Sequence, residues 1–290
     1  MSEQSADFIE RGYNNRAAFP DHPQWFARWA AASEALRSTV HCHLDLRYGT
    51  SPRQTLDVFP APRPRGALLF IHGGYWRALD KSLHSFVAGP LIDHGISVAV
   101  INYDLCPAVT VPHIVEECRE AVAWIAKHGA EYGMPVGQLV VAGHSAGGHL
   151  VAMLLATDWS RYGVSPKMLV GGAAISGVFD LEPLVQVSFN ADLRLDTATA
   201  RVLSPVHMSP LSTAPLLLAV GAAETSEFVR QTRLLWDTWP ANRPSDTLGP
   251  LFVADRHHFS VLSDLEDPDS QLSQRIRALI PGLSRRRIGC

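Results

Sequence analysis

The chain has 290 residues, of which 47% are hydrophobic and 18% charged. This composition excludes disorder, collagen and coiled coil, and the length suffices for one large domain that buries roughly three quarters of its unfolded surface. With 25 basic and 28 acidic residues the net charge is −3, so the basic excess of a nucleic-acid binder is missing.

The acidic start, Met1-Ser2-Glu3-Gln4-Ser5-Ala6-Asp7, lacks the apolar core of a signal peptide. No apolar run reaches the roughly 18 residues of a membrane span. Cys42, Cys106, Cys118 and Cys290 are scattered, with no spacing typical of a disulfide framework or a zinc site. A cytoplasmic protein is expected, with a small-molecule substrate as partner, no nucleic acid and no membrane, and with a homodimer as an open alternative. The one charge run, Arg285-Arg286-Arg287, reads as a solvated tail.

In chain order, Trp25, Phe26 and Trp29 fall on a predicted helix. His41-Cys42-His43 has the look of a metal fragment, but no third ligand follows at metal spacing, and it reads as a strand or its entry. Thr55–Phe59 reads as a strand, and short apolar runs at 67–71, 96–102, 138–142, 168–175, 215–220 and 251–253 read as buried strands. Between them, Ile114, Cys118, Val122 and Ile125 have helical spacing, bracketed by Pro112 and Gly129. A further helix is expected from Ser226 as N-cap, with Glu227 in its first turn. Strands alternating with helices predict an α/β fold, a mostly parallel central sheet with helices on both faces. Catalytic groups then belong in loops at the carboxyl ends of the strands. The chain reads as a single domain over 1–290, with residues 1–60 as an N-terminal segment near the site. Residues 181–213 are too long for an ordinary crossover. They read either as a cap-like insertion over the site or as an elaborated helical crossover.

Three strand ends carry chemistry. After the strand at 138–142 comes Gly143-His144-Ser145-Ala146-Gly147, a G-x-S-x-G turn leading into a helix. Such a turn is too sharp for side chains beside the serine, and it lifts Ser145 Oγ to a helix N-terminus, where developing negative charge is favoured. After the strand at 67–71 comes His72-Gly73-Gly74-Tyr75-Trp76, whose glycine N–H groups, with that of Ala146, are placed to form an oxyanion hole. In chain order the acid and base must follow the serine. Glu224 and one of His257 and His258 lie after the last two strands. Asp180 is a rival acid, although it reads better as a cap for the turn that begins Leu181-Glu182-Pro183. His144 and His149 read as structural, and Cys106 and Cys118 as buried.

The strings at 72–76 and 143–149 resemble those of the kynurenine formamidases (arylformamidases) of the α/β-hydrolase superfamily, which carry an H-G-G-x-W motif. Further matching stretches are 54–58, 156–159, 175–177, 224–231 and 258–262, so the resemblance covers roughly residues 10 to 280. It implies an α/β-hydrolase fold, with Ser145 as nucleophile, Glu224 as acid, His258 rather than His257 as base, and Gly73 and Gly74 in the oxyanion hole. The implied reaction is hydrolysis of an aryl formamide, N-formyl-L-kynurenine to L-kynurenine and formate in tryptophan degradation, with no cofactor and no metal. The alternative is a carboxylesterase or another N-acyl amidase. The acid is often Asp in relatives, which keeps Asp180 in view. Tyr75 and Trp76 are expected either to wall the pocket for an aromatic leaving group or simply to pack beneath the cap.

Overall fold

The computed structural model describes residues 6–283; Met1–Ser5, the arginine run at 285–287 and Cys290 lie outside the described residues. Eight strands form one sheet: β1 (His43–Arg47), β2 (Thr55–Phe59), β3 (Gly66–Ile71), β4 (Ile96–Ile101), β5 (Leu139–His144), β6 (Leu169–Ile175), β7 (Leu216–Gly221) and β8 (Leu251–Val253). Their order is β1-β2-β4-β3-β5-β6-β7-β8. The pairs β1–β2 and β2–β4 are antiparallel and all others parallel. The chain leaves β3 toward β4 on one side and returns to β5 on the other, so the strand order reverses at β3. In open α/β sheets such a reversal opens a crevice at the carboxyl edge.

The central strands are buried on both faces, which is why they read as unbroken apolar runs. Alternation divides them between two cores. Leu69 and Ile71 of β3 with Ala99 and Ile101 of β4 face one side, against Ile114, Cys118, Val122 and Ile125 of the helix Val111–His128. Leu68 and Phe70 with Val98 and Val100 face the other, against Trp29 of the helix His22–Thr39 and Leu272 and Ile276 of the helix Gln271–Ala278. Pro112 sits in the first turn of its helix, where a missing N–H removes no intrahelical bond.

Several strand ends differ from the sequence reading by one residue, and two boundaries differ for a visible reason. β5 continues through Gly143 and His144, because Gly143 pairs with Ile71 and Ala174 and His144 with Ile175. Ladder bonds, not side chains, carry the strand past its apolar run. The helix Ser226–Thr238 starts one residue earlier than expected, with Thr225 at the cap position, and the Thr225 hydroxyl donates to the Gly12 carbonyl at 2.7 Å instead of capping.

Residues 181–213 form short helical turns, Glu182–Gln186, Asn190–Leu193, Thr197–Val202 and Pro205–His207. Leu181, Leu184, Leu193, Ala200 and Leu203 are buried in the same core as the sheet. Among the described residues no helix is long and apolar enough to cross a membrane.

Because Phe70 is 1% exposed in the middle of β3, Phe70→Ala should destabilise the fold by about 3–5 kcal/mol. Urea unfolding checks this, and a loss under about 1 kcal/mol would mean that this core collapses around the cavity.

Candidate active site

Ser145 follows β5 and adopts φ 57°, ψ −119°, a strained conformation for a residue with a side chain. The turn closes because its flanks are bare. A Cβ on Gly143 would lie 2.4 Å from the Gly147 carbonyl oxygen, and one on Gly147 would lie 2.0 Å from the Ile71 carbonyl oxygen. The helix Ala146–Leu155 starts directly after Ser145. The Ala146 N–H therefore belongs to the first turn, where amides have no intrahelical acceptor. The Ser145 N–H is already engaged, donating to the Ile175 carbonyl at 2.8 Å.

A hydrogen-bonded chain leads away from the serine. His258 Nε2 is 3.1 Å from Ser145 Oγ, and His258 Nδ1 is 2.8 Å from Glu224 Oε2. The other carboxylate oxygen of Glu224 accepts from the Gly221 N–H at 2.9 Å and from the Ser176 hydroxyl. With both oxygens held and the side chain 0% exposed, Glu224 has a fixed orientation, and it fixes the imidazole in turn. The neighbouring His257 points elsewhere. It stacks on Phe19 with ring centroids 4.6 Å apart and meets Asp21 Oδ2 at 3.2 Å. Asp180, the rival acid, accepts from the Glu182 N–H at 3.2 Å and faces Arg230 at 3.5 Å, with no bond to either histidine.

The loop after β3 lies against the serine, since a Cβ on Gly73 would be 2.9 Å from Ser145 Cβ. His72 Nδ1 lies 2.8 Å from the Gly73 carbonyl oxygen, and the Tyr103 hydroxyl lies 2.8 Å from the His72 and 3.2 Å from the Gly73 carbonyl oxygens. In a trans peptide the N–H points opposite the carbonyl. Tying both carbonyls to the buried side therefore turns the N–H groups of Gly73 and Gly74 outward. Burial pushes the His72 pKa down to about 3, so the ring is neutral and donates through Nδ1. Tyr75 and Trp76 follow with φ 51° and 56°. Tyr75 Oη donates to the Tyr13 carbonyl at 2.7 Å, and the Trp76 carbonyl accepts from the Cys106 N–H at 2.8 Å, which secures the unusual turn.

A cleft of about 560 Å³, counting its open mouth, ends at Ser145 and His258. Phe26, Trp29, Tyr75, Leu79, Phe189 and Phe259 wall it, and Asn14, Asn15, Arg16, Arg77 and His144 supply its other polar side chains. Arg77 is paired with Asp192. Of the two expectations for Trp76, the wall role is corrected and the packing role is the one found. Trp76 is 0% exposed, lies outside the cleft lining and packs perpendicular to His149 at 5.0 Å, because two successive left-handed residues separate its direction from that of Tyr75.

His144 and His149 are buried, with Nε2 of each 2.8 Å from a carbonyl oxygen, that of His258 and that of Leu203 respectively. The sequence reading missed Asn15, Arg16, Phe189, Tyr103 and Ser176. Only Ser176 had a signal, as the first residue past β6. Among the described residues two groups have the spacing to hold a metal, Asp104/His113/Glu117 and Asp180/Glu182/His207, and neither contains a cleft-lining residue.

The BD-FAE family model matches residues 56–164. A kynurenine formamidase from Salmo salar is 30% identical over 252 residues, 83% of each chain, and one from Danio rerio is 29% identical over 259 residues, 86% of each. A solved structure of a suggested thioesterase from Silicibacter sp. tm1040 superposes with a TM-score of 0.81 at 34% identity, over 92% of this chain and 98% of that one. Fold and comparisons together define a hydrolase of the α/β-hydrolase class. Within that class, the chain belongs to the kynurenine formamidase family.

Acid should destabilise the protein through its buried neutral histidines. Burial lowers His72 to about 3 and His84 and His149 to about 4, against about 6.5 when unfolded. As pH falls below about 6.5 the unfolded chain takes up protons that the native chain refuses, and stability drops by about 1.4 kcal/mol per pH unit for each such histidine. Urea unfolding at about pH 7 and about pH 5 tests the sign. Burial pushes His144 well below its ordinary value too, so His149→Gln should shrink the difference by about a quarter, and an unchanged difference would show that His149 is already protonated in the native state.

Proposed function

We propose that the protein hydrolyses an aryl formamide, N-formyl-L-kynurenine, to L-kynurenine and formate. His258 takes the Ser145 proton as Oγ attacks the formyl carbon, and Glu224 stabilises the resulting imidazolium. The N–H groups of Gly73, Gly74 and Ala146 receive the oxyanion, an interaction worth about 3 kcal/mol per donor. The C–N bond then breaks, and His258 passes its proton to the leaving aniline nitrogen. Water, deprotonated by the same imidazole, hydrolyses the formyl ester on Ser145, releasing formate and restoring the serine.

The observation that carries the reaction type is the bonded series Ser145–His258–Glu224 opening onto an aromatic-walled cleft. Five aromatic rings in the wall suit an aryl leaving group. The formyl acyl group is supported by the fish relatives, both named kynurenine formamidase. The suggested thioesterase, at 34% identity, favours a second reading in which a thioester takes the place of the amide. The free thiols of Cys42, Cys106 and Cys118 support a reducing, cytoplasmic compartment.

Ser145→Ala should abolish turnover without lowering the melting temperature, and His258→Ala should lower kcat far more than His257→Ala. Equal losses at the two histidines would remove His258 from the role of base. On acyl selectivity, kcat/KM for N-formylkynurenine should exceed that for N-acetylkynurenine by about 10–200-fold or more, because the extra methyl must fit beside the oxyanion hole. A panel of formyl amide, acetyl amide and acyl thioesters on one preparation decides between the readings. Preference for the acetyl amide or for the thioesters would replace the formamidase reading.

A further inference from the structure

The cleft contains a polar group that no described residue satisfies. Asn15 is 3% exposed and lines the cleft, yet neither its Oδ1 nor its Nδ2 has a hydrogen-bond partner among the described residues. Buried amides are nearly always bonded, so an orphan at a binding cleft points to a bond that a ligand completes. Its neighbour Asn14 is different, donating to Glu10 Oε1 at 2.9 Å and accepting from the Ala17 N–H at 3.2 Å.

The second observation is charge. Arg16, on the same turn, also lines the cleft and has no carboxylate partner among the described residues; its guanidinium rests 5.8 Å from the centroid of the Phe26 ring. Arg77 is already paired with Asp192, and no Asp or Glu lines the cleft. Partial desolvation on its cleft side and then the nearby guanidinium of Arg77 both disfavour the cation of Arg16, exposed as it is at the cleft mouth, and a bound anion relieves both. An orphan amide offers one donor direction and one acceptor direction, and the arginine beside it seeks an anion. An ionised α-amino acid presents the complement of all three, a carboxylate next to an ammonium.

We propose that Asn15 and Arg16 form a headgroup subsite that selects formamides carrying an α-amino acid, with Arg16 pairing the carboxylate while Asn15 donates to it and accepts from the ammonium. The inference rests on the formamidase reading and adds the substrate's other end. It makes Arg16 and Asn15 specificity-determining residues that leave the bond-breaking chemistry to Ser145 and its partners.

The test compares two substrates with the same scissile bond, N-formyl-L-kynurenine and ortho-formamidoacetophenone, which keeps the formanilide and ketone but lacks the amino acid. The wild-type enzyme should prefer the first, and Arg16→Gln should reduce that preference by about 10–100-fold, mainly through KM. Asn15→Asp, nearly the same shape but repelling a carboxylate, should reduce it as well. Arg16 is exposed, so Arg16→Gln alone decides the matter should Asn15→Asp fail to fold. Equal losses on both substrates, an unchanged ratio, or a wild-type enzyme with no preference would overturn the subsite while leaving the formamidase reading standing. A wild-type enzyme that cleaves neither formamide but cleaves activated esters would overturn that reading and the subsite with it.

Discussion

The approach of the Gly147 Cα to the Ile71 carbonyl sets the geometry on which the rest of the site depends. A methyl group at position 147 would lie 2.0 Å from that oxygen, and one at 143 would lie 2.4 Å from the Gly147 carbonyl oxygen. Neither contact attracts strongly. Both work by absence, allowing the start of a helix to lie across the ends of β3 and β5. Since Ile71 and Gly143 are paired in the ladder, the loop leaving β3 emerges level with Ser145, and Gly73 ends against the Ser145 side chain. Ser145 and the amides that face it therefore share one origin, the register of two parallel neighbours.

The same carboxyl edge stores backbone strain. Ser145, Ser176, Tyr75, Trp76 and Asp255 all have positive φ and all follow the ends of β5, β6, β3 or β8. Such conformations cost about 1–3 kcal/mol each and persist only where surroundings over-determine them. Here the determinants are visible. The Ser145 and Ser176 N–H groups donate to the Ile175 and Ala219 carbonyls, prolonging the ladder past the last strand residue, and the Ser176 hydroxyl then reaches Glu224. The sheet thus holds the acid through a residue that is itself strained, so rigidity propagates from core to carboxylate to imidazole.

Legibility in the sequence followed the range of the interactions. Strands, the serine turn and the glycine loop were readable because their determinants are local: apolar runs, Gly143 and Gly147 around Ser145, and the paired glycines at 73 and 74. His258 could not be separated from His257 by residue pattern alone. The choice depends on Phe19 and Asp21, which hold His257 from more than two hundred residues away in the chain. Trp76 and Tyr75 could not be told apart between cleft wall and packing, because adjacency in a turn of left-handed residues says little about direction. Asn15, Arg16 and Phe189 were invisible for a related reason. Their proximity results from docking of the N-terminal helices against residues 181–213, where Glu10 accepts from both the N–H and the hydroxyl of Ser188 at 2.8 Å.

That docked segment ties recognition to chemistry. Besides presenting Asn15 and Arg16, it accepts the Tyr75 hydroxyl bond at the Tyr13 carbonyl and the Thr225 hydroxyl bond at the Gly12 carbonyl, while the Tyr13 hydroxyl accepts from Gln231 Nε2 at 2.7 Å. Gly12 permits this closeness, since a Cβ there would fall 2.5 Å from the Glu227 side chain. One short stretch of chain thereby touches the glycine loop after β3, the residue directly after Glu224 and the turns that carry Phe189. The cleft wall and the loops around Ser145 are consequently one packed unit: a displacement of residues 10–16 that opened the cleft would also release Tyr75 and loosen the turn beyond Gly74. In the proposed reaction, substrate affinity and transition-state geometry are therefore coupled through packing, and the coupling runs through backbone carbonyls that side-chain substitution leaves in place.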